Sequence, residues 1–290
     1  MKKIASLLGA LLFCVTGLHA QDLHDAGTVN PNITPFHDAR DAAMGYSSAA
    51  LQNQAAWKQF VQHHPGWGAQ FDRNTRLPHR AIGAPIPFAS GGADPVVKAM
   101  AFLQQEFAGF NLPLQDLQLS RSYNDGKYIH VDFKQVHQNQ DVLWSRVGIR
   151  FTQDLRIMMV ILDAYRDIPA LTSTLSASDA KLAAEQAITT TITNTTVDNT
   201  LRIFPYPAES GCEYHLVYTV HVFTKNDNKT PGNYLTYVDA NSGEILYRQN
   251  EVKFFDVKLK GDVYPTNQYT PTQNRVMRNM KVKVGSTTYY

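Results

Sequence analysis

Tyr234-Leu235-Thr236-Tyr237-Val238-Asp239-Ala240-Asn241-Ser242-Gly243-Glu244-Ile245-Leu246 reads as a strand, a tight reversal and a second strand. The aromatic and β-branched residues at either end favour extended backbone, while Asn-Ser-Gly punctuates them. Gly243 suits the left-handed turn position that a residue bearing a Cβ adopts only at a cost. Just upstream, Tyr214, Leu216, Tyr218, Val220 and Val222 recur with a period of two, so they share one face of another strand. Asn226-Asp227-Asn228 through Pro231-Gly232 turns that strand back onto Tyr234 to Asp239. The opposite face carries His215, Thr219, His221 and Phe223, polar and aromatic at once; taken alone the four read as an ordinary solvated sheet face, and within a binding module as a contact surface. Before the strands, Ser176-Ala177-Ser178-Asp179 forms a capping box and the alanine-rich stretch to Ile188 favours a helix. The Thr/Asn-rich residues 189–200 between them read as a loop.

The same plan, helix then meander, occurs earlier in the chain. Trp57, Phe60, Val61 and His64 fall at helical spacing and Pro65-Gly66 ends that run. Residues 65–93, rich in Pro, Gly and Arg, read as an extended connection. Asp94 is an N-cap with Pro95 at the first helical position, followed by Val96, Met100, Leu103 and Phe107 as a buried stripe. Ile129, Val131 and Phe133 alternate with His130, Asp132 and Lys134, as a strand does with one face on a core and the other in water. Val147, Ile149 and Phe151 alternate likewise, Thr152 to Leu155 turns the chain, and Arg156 to Leu162 is the next strand. Its run Ile157-Met158-Met159-Val160-Ile161-Leu162 indicates a central position, with Ile161 expected in the core beside Val131, Phe133 and Ile149. Leu216, Tyr218 and Val238 are the expected core of the later unit.

The 290 residues suffice for about two domains. With 43% hydrophobic and 18% charged residues the chain is globular in composition. Met1-Lys2-Lys3, the apolar run Ile4 to Val15 and Ala20 before polar Gln21 read as a secretory signal peptide, with cleavage expected after Ala20. Without Lys2 and Lys3 the 25 basic residues equal the 25 acidic ones, so no overall field favours nucleic acid or an anionic membrane. The exported chain keeps Cys212 alone and therefore no internal disulfide. A thiolate that holds a protease zinc latent would need flanking residues that Ser210-Gly211-Cys212-Glu213-Tyr214 lacks, so a strand-edge cysteine is the simpler reading.

Gly126-Lys127-Tyr128-Ile129-His130-Val131-Asp132-Phe133-Lys134-Gln135, taken with Tyr237 to Leu246, resembles a pro-region found ahead of secreted zinc metallopeptidases. The resemblance spans roughly residues 50–250: a fungalysin/thermolysin propeptide module, then a PepSY module. It implies an α+β fold of two successive modules, each a helix packed on antiparallel sheet. It also implies a partner, the zinc metallopeptidase catalytic domain, supplied in cis or in trans. The chain departs from that family at Asn139-Gln140-Asp141-Val142-Leu143-Trp144, where a Gly-Ile-Pro-Val stretch is common.

The parent chemistry requires a helical His-Glu-x-x-His motif, two imidazoles on zinc and a Glu that activates water. This sequence contains none. His63 and His64 are adjacent and diverge on a helix, while His215 and His221 share a strand face roughly 20 Å apart, at about 3.3 Å per residue. No Gly-x-Ser-x-Gly elbow, phosphate loop or dinucleotide fingerprint is present either. No catalytic, cofactor or metal residue is therefore assigned, and zinc is expected only in a downstream catalytic domain.

The reading divides the chain into a signal peptide (1–20), a leader (21–50), a propeptide-like module (51–169), a PepSY-like module (170–250) and an incomplete β domain (251–290). The last of these resembles the start of a carboxypeptidase-regulatory-like sandwich, with turns at Tyr264-Pro265 and Thr270-Pro271 and alternation from Met280 to Val284, and is expected to continue in a longer precursor. The expected role is that of a secreted, non-enzymatic pro-region, an intramolecular chaperone and inhibitor with no nucleic acid or membrane partner once the signal is removed. A stand-alone secreted or envelope protein that binds and inhibits a peptidase is the alternative.

Overall fold

The computed structural model describes Ile33, residues 49–186, 188–208, 211–225 and 231–252, and four short strands beyond residue 259. The expected signal peptide, and the leader apart from Ile33, Ala49 and Ala50, lie outside the described residues. The chain divides into two units, Met1–Glu251 and Val252–Tyr290. The fold is α+β, with helices packed on antiparallel sheets.

The first unit opens with helices α1 (Ala49–Gln52) and α2 (Ala55–His63), then strands β1 (Gly68–Phe71) and β2 (Pro78–Ile86). Helix α3 (Pro95–Glu106) leads through β3 (Leu117–Asn124), β4 (Ile129–His137), β5 (Gln140–Asp141), β6 (Arg146–Phe151) and β7 (Ile157–Asp163). These strands form one antiparallel sheet in the order β1-β2-β7-β6-β4-β3, with β5 paired to β4. The Met-containing strand β7 is central. Its core residues are Ile157, Val160 and Leu162, whereas Ile161, opposite Gly148, belongs to the other face. The expectation that Ile161 joins Val131, Phe133 and Ile149 is thus off by one residue: a one-residue step along a strand always changes face.

Residues 65–93 are a connection only in part: β1 and β2 extend the sheet there, while 87–93 lead by turns into α3. The prolines are compatible with pairing: Pro78 opens β2 and Pro85 falls inside the register shift between Ile82 and Ile86. Gly83 leaves room for the Trp67 indole, since a Cβ there would lie 2.2 Å from the ring. Helix α3 is capped as read, with Asp94 Oδ1 accepting from the Val96 and Val97 N–H groups at 2.7 and 3.3 Å. Its buried stripe centres on Ala99, Phe102 and Leu103, with Phe107 just beyond, and Val96 and Met100 at its margin.

Helix α4 (Ala177–Gln186) starts at the Ser176 and Asp179 capping box, in which each side chain accepts from the other residue's N–H. It packs on a second antiparallel sheet of β8 (Thr191–Pro207), β9 (Cys212–Lys225), β10 (Pro231–Asp239) and β11 (Ile245–Asn250), ordered β11-β10-β9-β8. Of the stretch 189–200 read as a loop, residues 191–200 are in fact the first half of β8. Its threonines are β-branched and suit a pleated surface, and two bulges, at Ile192/Asn194 and Asp198/Arg202, carry its irregular pattern without ending the pairing. Leu216, Tyr218, Val220, Val222 and Val238 face Ala180 and Ala184 of α4, as their alternation requires.

In the second unit, β12 (Lys260–Val263) pairs with β13 (Gln273–Val276), and β14 (Val282–Val284) with β15 (Thr287–Tyr289), both antiparallel. No helix among the described residues is long and apolar enough to cross a membrane.

Candidate functional site

The helix-free face of the four-stranded sheet carries the residues singled out from the sequence, but it is not an open surface. Val217 is fully buried there and Thr219 is 8% exposed, while His215, His221 and Phe223 are half-buried. The cover comes from the other sheet. After the tight turn at Gln138-Asn139, both at positive φ, the chain runs through β5 and places Trp144 against Phe204, Tyr237 and Tyr247, with ring centroids 5.0, 5.8 and 5.2 Å away. Leu143 N–H donates to the Ile203 carbonyl at 2.8 Å and Val142 bridges Ile203 in parallel, so this connection also pairs with the outer edge of β8. Here the sequence departs from the resembled family, and here the two sheets are joined. Burial pushes the Tyr237 hydroxyl up to about 12.

The reversal Asp239 to Gly243 is held by its first residue. Asp239 Oδ1 accepts from the Asn241 and Ser242 N–H groups, each at 2.7 Å, and Oδ2 meets His215 Nδ1 at 2.7 Å. Burial works to raise the pKa of this carboxyl, but the two N–H donors and His215 outweigh it and hold it below the usual range. Gly243 has φ +75° and its N–H returns to the Asp239 carbonyl at 3.0 Å. His221 lies 3.4 Å from Asn233 and 3.6 Å from Glu251. His215 and His221 are thus each engaged with their own neighbours and do not converge.

The other edge of this sheet is engaged too. Ile33, from the leader, exchanges hydrogen bonds of 2.8 and 2.7 Å with Arg248 of β11.

A second constellation occupies the helix-free face of the first sheet, and alternation alone concealed it. Asp132, read as a solvated residue, is 4% exposed in its side chain and is ringed by Arg121, Arg146 and Arg150 at 2.9, 3.1 and 2.8 Å. Burial alone would raise the Asp132 carboxyl, and the Arg150, Arg146 and Arg121 guanidinium groups override it, leaving the pKa lowered. Gly148 makes the cage possible: a Cβ there would stand 2.6 Å from Asp132 Oδ1 and 3.3 Å from Arg150 Nη1. One buried carboxylate against three guanidinium groups leaves two surplus positive charges, and the Arg121 and Arg146 side chains are 55% and 42% exposed. Arg121 also sits 5.4 Å above the Tyr123 ring, which stacks on His130 at 4.4 Å.

Cys212 opens β9 half-buried, and burial, with Asp72 nearby, pushes its thiol up to about 12. Such a thiol stays protonated and is a poor metal ligand. His64 pairs with Glu106 at 2.9 Å and His130 with Asp125 at 2.7 Å. Among the described residues no three or more His, Cys, Asp or Glu side chains are grouped to hold a metal ion.

The helix-capping box, the three-hairpin meander and the Asp239 turn together delimit the region that matches a known family. Residues 174–249 match the PepSY family, described as peptidase propeptide and YPEB domain. The chain is also similar in structure to the Bacillus megaterium YpeB C-terminal domain, at 12% identity and a TM-score of 0.28, over 71% of this chain and 97% of that one. A comparison with curated proteins gives no match. PepSY domains are non-catalytic regulatory modules that occur in secreted or exported proteins.

Proposed function

We propose that this protein is the pro-region of a secreted zinc metallopeptidase, which it holds inactive and assists in folding. The match of residues 174–249 to a family described by peptidase propeptides carries the reading. The first module, residues 51–169, would act with the PepSY segment as one body, since Trp144 and Leu143 tie the two sheets together. In this reading the chain binds and the partner hydrolyses, so the zinc would belong to the partner. Export through residues 1–20 belongs to the same proposal.

The test adds the purified protein in trans to the catalytic domain of a zinc metallopeptidase from the same precursor or genome neighbourhood. Slower hydrolysis of a peptide substrate and a higher yield of active enzyme on refolding are expected. Neither effect at concentrations well above micromolar would overturn the proposal.

A further inference from the structure

We infer that β3 is a docking edge for an acidic, extended segment of a partner polypeptide, whether or not that partner is a metallopeptidase. A sheet edge exposes a row of backbone donors and acceptors that another strand can complete. Three of the four edges in the first unit are short, engaged or doubly bulged. The β11 edge meets Ile33, β8 meets Val142 and Leu143 at Ile203 and is broken by two register shifts in its first half, and β1 is only four residues long with a register shift at its end. The fourth edge, β3, runs for eight residues, seven of them exposed, and no described residue pairs with its outer side.

This edge is weakly protected against pairing. It contains no proline or lysine, one arginine, and one register shift, between Leu119 and Arg121. It also presents apolar side chains, with Leu119 49% and Tyr123 42% exposed. These flank the edge from opposite faces of the sheet: Leu119 lies opposite core residue Phe133, whereas Arg121 and Tyr123 lie opposite Asp132 and His130. An added strand would thus meet an apolar position on one face and a cationic, aromatic one on the other.

Charge selects among such strands. The surplus of the Asp132 cage is displayed by Arg121 on β3 itself and by Arg146 two strands inward. Charges at the two ends of the edge offset one another: Asp125 and Lys127 share the β3–β4 turn, Asp154 pairs with Arg156, and Lys134 pairs with Asp141, leaving Asp116 beside His137. A carboxylate on the incoming strand finds guanidinium groups already aligned and partly desolvated by Asp132, whereas a lysine there meets repulsion.

The experiment titrates the protein with an acetylated octapeptide alternating Glu and Thr, and with its Lys and Thr counterpart, by fluorescence anisotropy at low and physiological salt. Amide hydrogen exchange is followed across residues 117–124. Two exposed guanidinium and carboxylate pairs amount to about tenfold in affinity, so the acidic peptide should bind about tenfold more tightly, less so as salt rises. Protection should appear within 117–124. Arg121→Gln should cut the preference about threefold, read at a temperature where the variant is folded because it also removes one of Asp132's three partners. Arg146→Gln, off the edge strand, gives a second readout under the same folded condition, and Leu119→Thr, outside the Asp132 cage, should weaken both peptides alike while keeping the acidic preference. Equal affinity for the two peptides, or protection elsewhere only, would overturn the inference. So would peptide-free protection of 117–124 that grows with protein concentration, which would assign the edge to a second copy of this chain.

Discussion

Replacing Trp144 should uncouple the two sheets, and its backbone makes the prediction unusually specific. Trp144 has φ +59°, a left-handed conformation costly for a bulky side chain. The fold tolerates it because the ring gains three aromatic neighbours, Phe204, Tyr247 and Tyr237, at 5.0, 5.2 and 5.8 Å. At about 0.5–1.5 kcal/mol for each aromatic pair, with the ring half-buried, Trp144→Ala should cost about 2–4 kcal/mol. That corresponds to roughly 5–15 °C in melting temperature for a unit of this size. Trp144→Gly loses the same ring but relieves the left-handed strain, so it should be less destabilised than Trp144→Ala by about 1 kcal/mol. Elsewhere in a folded chain glycine is ordinarily the worse of the two. Calorimetry of the wild type should show residues up to about 251 melting together, and both variants should separate the transition into two. The reasoning fails if Ala is tolerated better than Gly, or if the transition stays single with its midpoint unchanged.

Gly148→Ala should destabilise by about 2–4 kcal/mol in urea unfolding, because its Cβ would displace the buried Asp132 carboxylate from its arginines; the loss should shrink in an Asp132→Ala background, and an equal loss there would show that the cage is not the cause. Phe133→Ala, 3% exposed, should cost about 3–5 kcal/mol, against at most about 1 kcal/mol for Lys134→Ala, whose pair with Asp141 is half-exposed on both sides, and similar midpoints for the two would refute the register. Asp132 and Asp239 have folded pKa values below those of the unfolded chain. Their contribution is therefore complete above the ordinary carboxylate range near pH 4 and is lost as pH falls through the lower folded values. Asp239→Asn should flatten the acid limb of a stability profile, and an unchanged limb would remove His215 and the turn amides as its cause.

Local patterns in the sequence carried much of this architecture. The period-two runs at Val131 and Phe133 and at Leu216 to Val222 identify core faces because a strand's side chains alternate strictly. The Asp94 and Ser176 caps and the Gly243 reversal are local chemistry, settled within three or four residues. Misreadings arose where composition stood in for pairing. Proline and glycine in residues 65–93, and threonine and asparagine in 189–200, read as loops, yet 68–71, 78–86 and 191–200 are strand, with Pro78 at a start and other irregular residues at register shifts.

The charged cage and the aromatic joint were not legible in the sequence. Arg121, Asp132, Arg146 and Arg150 lie on three strands, and nothing in their spacing says that Gly148 leaves a gap for their charges to meet. Trp144 stood out only as a departure from the resembled family, and its neighbours are contributed by three strands that begin more than forty residues further along the chain. The sequence by itself determined what one chain segment imposes on its own backbone: which residues alternate, where helices start, where turns need glycine. The tertiary structure alone decided which edges are engaged and which side chains share a buried face. Those depend on register between strands distant in sequence, where a shift of one residue exchanges every inward side chain for an outward one.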